Sequence, residues 1–172
     1  MIASAHTHDS SLREQYIEYV FLAGLCRVMW RRGEAMDVLR SHTDRSGYDL
    51  LLEVDGVGRH VQLKASFHGA TTRQQNINAK LAACPSGCVV WIWFDPTTLE
   101  QTKFLWLGSE PGQPLPPLPN KLGKHSKGNA QGIKADRSGA RMINKGKFDT
   151  IIGFEALADK LFGRSLSTDT PC

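Results

Sequence analysis

Three side chains within residues 46–66 have the types and spacing to hold a cation beside a phosphate. Arg59 to Ala65 alternates apolar and polar residues, the period of a half-buried strand. Gln62 and Lys64 therefore share one face, and Val61, Leu63 and Ala65 the other. Tyr48 to Val54 reads as a partner strand, and Asp55-Gly56-Val57-Gly58 as the turn between them. Antiparallel pairing around a turn at 55–58 predicts Asp49 opposite position 64. A carboxylate, an amide oxygen and an ammonium then converge in one small volume. The oxygens of Asp49 and Gln62, with the Leu63 carbonyl beside them, suit Mg²⁺ or Mn²⁺. The Lys64 ammonium suits an attacking water or the charge building on phosphorus. Glu53 lies about 13 Å from Asp49 at ordinary strand rise, too far to share the ion.

These residues need an element to close over them. Ile17, Val20, Phe21, Leu25 and Val28 recur at three- and four-residue spacing, which predicts an amphipathic helix capped at Ser10 or Ser11 and running to about Arg32. Gly33 stops it. Glu14 and Glu18 stack one turn apart. Glu18, set among Tyr16, Ile17, Tyr19 and Val20, is the better candidate to face inward and complete a metal site.

The order of a helix with Glu18, then Asp49, then a strand carrying Gln62-Leu63-Lys64 resembles the PD-(D/E)XK nuclease superfamily, the restriction-endonuclease-like fold. The resemblance spans roughly residues 14 to 94. It implies an α/β fold with an αβββαβ core, a mixed central sheet flanked by helices. It also implies metal-dependent hydrolysis of phosphodiester bonds, in DNA more than RNA, with Glu18, Asp49, Gln62 and Lys64 as the site. Gln62 stands where the family more often has Glu, and active members with Gln there exist. The neutral ligand removes one negative charge, so metal affinity is expected to be weaker, and with Asp49 and Glu18 as the only good acidic candidates one metal is favoured over two. Small standalone members serve phage defence, mobile elements or DNA repair. A homodimer would supply the two sites that cutting both strands needs.

Each residue also has a plainer reading. Asp49 after Ser-Gly suits a turn, Gln62 and Lys64 the solvated face of an edge strand, and Glu18 an ordinary helix surface. Ser66, His68 and Gln75 follow the motif and could touch substrate, although structural roles suit them better. No phosphate loop of Gly-Lys-Ser/Thr type follows Gly56 and Gly58, and no nucleophile elbow is visible.

At 172 residues the chain suits one domain: residues 1–10 a disordered terminus, 11–164 the folded body, 165–172 a disordered tail. With 41% hydrophobic and 22% charged residues it has the composition of an ordinary globular protein. It has no apolar run of transmembrane length and no signal core at the start, so a cytoplasmic location without membrane contact is expected. Cys84 and Cys88 flank Pro-Ser-Gly but lack a second ligand pair, so plain thiols are expected.

The net charge of +4 is unevenly spread. Residues 121–147 hold eight basic residues against one acid, Asp136, a net +7, while the rest, thirteen basic against sixteen acidic, nets −3. A near-neutral body with one basic segment suits a polyanion. Lys121, Lys124, His125, Lys127, Lys134, Arg137 and Arg141 are its candidate phosphate contacts, in a loop or short strands.

Elsewhere, Ala35 to Arg40 reads as a strand and Arg73 to Ala83 as a second helix. Cys88 to Phe94 reads as a strand buried on both faces, with Trp91, Trp93 and Trp106 in the core. Lys103 to Leu107 is a further strand. Residues 109–119, with five prolines, form an extended surface connection. Phe154 to Phe162 is a closing helix. Two rival functions stand beside a nuclease: a catalytically inactive nucleic-acid-binding module of the same fold, and a regulatory subunit that docks partners through the Pro-rich segment.

Overall fold

The computed structural model describes residues 10–41, 46–124 and 136–163. Both expected terminal segments, 1–10 save its last residue and 165–172, lie outside them. The long helix forms as its periodicity predicts: α1 spans Ser10–Arg32. Its Ile17, Phe21, Leu25 and Val28 are buried. Five strands and a short closing helix complete the main body with it: β1 (Asp37–Arg40), β2 (Leu50–Val54), β3 (Val57–Phe67), β5 (Gly87–Phe94), β6 (Gln101–Gly108) and α2 (Phe154–Phe162). A sixth strand, β9 (Asp149–Ile152), joins at the far edge, so the sheet order is β1-β2-β3-β5-β6-β9. Only the β3–β5 pair is parallel; the rest are antiparallel. The fold is thus mixed α/β around a mixed six-stranded sheet.

Strand β5 shows why the sheet sits in the middle. All eight of its residues are buried. Cys88, Val90, Ile92 and Phe94 join the core beneath α1 and α2. Val89, Trp91 and Trp93 join a second core on the opposite face. That second face is covered by a small antiparallel sheet of β4 (Gln74–Asn78), β8 (Asp136–Asn144) and β7 (Leu122–Lys124), in the order β4-β8-β7. Trp91 and Trp106 are fully buried, and each large side chain removed from water contributes roughly 1.5–3 kcal/mol. Cys88 lies in this interior, and burial pushes its thiol up to about 12. It is a plain buried thiol, as expected.

Two expectations are corrected. Residues 73–83 do not form a helix. They form β4 and then a 3-10 turn at Ala79–Ala83, with Asn78 Oδ1 accepting the Lys80 N–H at 3.1 Å. The four-residue spacing of Ile77 and Leu81 suggested a helix, but β8 supplies a complete antiparallel partner from Gln74↔Asn144 to Asn78↔Ala140. The αβββαβ order is therefore not the one observed, since a strand and a 3-10 turn fill the β3–β5 crossover.

The β2–β3 turn is also tighter than four residues. Val54 pairs with Val57, so only Asp55-Gly56 reverses the chain. Both have positive φ, 48° and 79°, which is the two-residue hairpin geometry that an Asp-Gly pair favours.

The Pro-rich connection runs over the surface, as expected, and is pinned at two points. Leu115 is 5% exposed and Leu118 packs beside it against the second core. These two leucines anchor the segment, and the other residues of 109–119 are exposed or half-buried.

Candidate functional site

The shortened turn moves Asp49. Continuing the β2–β3 register past Leu50↔Val61 sets it beside Val61 to Leu63, not opposite Lys64. Its N–H donates to the Val61 carbonyl at 2.9 Å. Its carboxylate accepts the Leu63 N–H at 2.6 Å. Strand β2 begins at Leu50, so from Gln62 onward β3 has no strand on that side among the described residues. The Asp49 side chain takes over the edge where the ladder stops. In a strand one residue's N–H and C=O point to the same edge. The Leu63 carbonyl therefore faces the same side as the Asp49 carboxylate, as the proposed backbone ligand requires.

Gly47 sets the approach to Asp49. Its φ is +83°, and a Cβ there would lie 2.8 Å from the Leu81 backbone nitrogen. Gly47→Ala is expected to lower stability by about 1–3 kcal/mol and to displace Asp49. A urea unfolding curve checks the first effect, and faster hydrogen exchange of the Leu63 amide checks the second.

Gln62 and Lys64 share a face, as the alternation predicts. Gln62 is 8% exposed, and its Oε1 accepts the Asn78 N–H at 3.0 Å. That bond orients the amide with its oxygen toward β4 and uses one of two lone pairs. Lys64 is half-buried. Glu18 is half-buried too, but its carboxylate pairs with Arg40 Nε at 2.5 Å, and Arg40 also lies 5.3 Å over the Tyr19 ring.

All four residues line one open cleft of about 1330 Å³. Its walls are the N-terminal half of α1, the free edge of β3, and β4 with β8. The cleft brings together side chains from position 18 to position 64 that the sequence only ordered. Beside them it sets residues the motif did not include: Arg13 and Arg40 on the helix side, Gln74 and Asn76 on β4, and Phe67, which is 50% exposed. Arg13 stood next to Glu14 and could have been found from helix spacing. The β4 amides could not, because that segment read as a helix.

The metal donors can be tested on this geometry. Among the described residues no group of three or more His, Cys, Asp or Glu lies close enough to hold an ion. Magnesium, however, commonly takes one or two carboxylates and completes its shell with waters and substrate phosphate. Asp49, the Gln62 amide oxygen and the Leu63 carbonyl meet that minimum, and Glu18 could add a second carboxylate by exchanging its Arg40 partner.

Of the other singled-out residues, Ser66 and Gln75 also line the cleft. Ser66 is buried and its Oγ accepts the Trp91 indole N–H at 3.0 Å. His68 sits by Trp93, with ring centroids 6.5 Å apart. In the basic segment, Lys121 is exposed before β7, Lys124 ends β7, and Arg137 and Arg141 lie on β8. Arg141 donates to the Ser138 and Ala140 carbonyls at 2.8 and 3.1 Å. His125, Lys127 and Lys134 lie outside the described residues.

No family model, curated protein or solved structure matches the chain. No helix among the described residues is long and apolar enough to cross a membrane.

Proposed function

We propose that this chain is a metal-dependent nuclease of the restriction-endonuclease-like type, hydrolysing phosphodiester bonds in DNA. The observation that supports the reading is the Asp49 carboxylate seated on the Leu63 N–H, in the same cleft as Gln62, Lys64 and Glu18. Asp49, Gln62 and the Leu63 carbonyl would hold Mg²⁺ or Mn²⁺. The ion would supply charge stabilisation at phosphorus and an acidified water. Lys64 then holds the attacking water and stabilises the charge on the phosphoryl oxygens. Arg13 and Arg40 grip flanking phosphates, and Lys121 with the rest of the basic segment extends that grip without reading bases. The test is Mn²⁺- or Mg²⁺-dependent cleavage of plasmid, linear DNA and RNA, with EDTA as control. No cleavage of any of the three would overturn it.

The neutral ligand gives a second measurement. Gln62→Glu keeps an acceptor for the Asn78 N–H and adds one negative charge in a buried place. We expect the variant to melt below wild type without metal, since an uncompensated buried charge is costly. Mn²⁺ should restore it and bind about tenfold more tightly than to wild type, because ligand charge sets affinity in such sites. A melting curve with and without Mn²⁺ reads both; no metal rescue would remove Gln62 from the ligand set.

The Glu18–Arg40 pair favours one other reading, an inactive nucleic-acid-binding module. There the helix carboxylate serves the fold, and DNA binding is salt-dependent, indifferent to EDTA and retained by Asp49→Ala.

A further inference from the structure

Helix α1 is apolar on two opposite faces. One carries Ile17, Phe21, Leu22, Leu25, Val28 and Met29 into the core under the sheet. The other is turned to solvent and reads Leu12, Tyr16, Tyr19, Ala23, Cys26, Trp30. The steps are four, three, four, three, four: the a/d seam of a coiled coil. Every member is exposed, Trp30 at 86%, Tyr16 at 48%, Tyr19 at 45% and Leu12 at 41%. A surface helix normally puts charge along this line. Here the seam has none. Arg13, Arg27 and Arg31 stand to its sides, and Arg31 is drawn off to Glu155.

We propose that this seam pairs antiparallel with the same seam of a second copy of the chain. Two arguments select that occupant. The first is size. The helix is about 34 Å long at 1.5 Å per residue, and covering its exposed aromatic and aliphatic groups on two copies removes on the order of 1,000 Å² from water. That is about the lower bound for a specific interface. The second is fit. A two-fold axis crossing the helix near Phe21 sets Leu12 against Trp30, Tyr16 against Cys26, and Tyr19 against Ala23. Each pairing joins a larger side chain to a smaller one and occurs twice, as an isologous contact requires. A parallel pairing would stack Trp30 on Trp30 and leave Ala23 facing Ala23. The antiparallel seam has one cost: Arg13 of one copy comes near Arg27 of the other.

The inference does not depend on the proposed activity. Sedimentation velocity of the full chain tests it. Wild type is expected to be dimeric at about 100 μM with micromolar dissociation. Trp30→Glu and Tyr19→Lys should each weaken association about a hundredfold, and Trp30→Glu, at an 86% exposed side chain, should leave the circular dichroism and melting of the monomer unchanged. A wild-type monomer at that concentration, or a dimer untouched by either variant, overturns the seam. Orientation is read from thiols. Under mild oxidation Tyr16→Cys should form a disulfide between position 16 of one copy and Cys26 of the other, identified by peptide mass. A Cys26–Cys26 link in wild type would instead show parallel pairing and overturn the antiparallel arrangement.

Discussion

Lys64→Met is expected to lower DNA cleavage at saturating Mn²⁺ by about 10³-fold, with little change in DNA affinity or melting temperature. The side chain is half-buried on the cleft wall, one residue past the peptide that the Asp49 carboxylate grips. A positive charge aimed where charge develops in the transition state is typically worth 10²–10³ in rate. Met keeps the aliphatic stem and its packing, so the loss should fall on kcat. Asp49→Asn is the matched probe. Its amide oxygen can still accept the Leu63 N–H, so the strand edge stays capped, but the charge is gone. Mn²⁺ affinity and cleavage should fall together, and DNA binding should survive. Single-turnover cleavage, calorimetry with Mn²⁺ and fluorescence anisotropy separate the three quantities. Wild-type rates in both variants would dismiss the site; normal DNA binding with no cleavage even in wild type would leave the inactive binding module.

The largest effect on stability is expected at Arg59. This arginine is fully buried. Its Nε donates to the Leu161 carbonyl at 2.6 Å, and Nη2 to the Ser109 and Lys160 carbonyls at 2.9 and 3.1 Å. The guanidinium also lies 5.4 Å over the Trp106 ring. Leu161 and Lys160 are in the last turn of α2, where carbonyls lack intrahelical partners and the helix dipole is negative. Arg59 thus ties β3 to the end of α2 and to the start of the Pro-rich connection. Desolvation lowers its pKa, and Nη1 is buried without a hydrogen-bond partner among the described residues, so the arrangement carries a cost of its own. Removing the side chain leaves three carbonyls without their donor, one of them in a buried bond. Arg59→Met should therefore lower unfolding free energy by about 3 kcal/mol, read as a shift in urea midpoint at constant slope. Arg59→Lys keeps the charge but not the fork and should fall between. A change below about 1 kcal/mol for Met would mean that the helix end is held by other contacts.

The two predictions differ in how legible they were. Gln62 and Lys64 could be placed on one face because the strand period is two, which is a local rule. Arg59 has the same parity as Val61, so it belonged on the core side, and its charge was the warning sign. Its partners lie 50 and about 100 residues away, and nothing local points to them.

What the sequence by itself determined are the elements whose local pattern and burial agree. Helix α1, strand β5 and helix α2 form where periodicity or an unbroken apolar run places them, because one face or both must leave water. The Asp-Gly pair determined the reversal, though its two-residue length had to be read from the pairing of Val54 with Val57. Tertiary structure alone decided the rest. The polar stretch Gln74–Asn78 became a strand because β8, more than 60 residues on, offered its backbone a ladder. Glu18 met Arg40 across 22 residues, where the end of β1 comes within ion-pair reach of α1. The cleft itself exists because β2 begins at Leu50 and leaves the edge of β3 open beyond it, so that Asp49, Gln62 and Lys64 share a space with a helix more than thirty residues earlier. Local patterns choose which residues face inward. Which strand a backbone edge finds, and which charge a side chain meets, depends on contacts between parts of the chain that no short window contains.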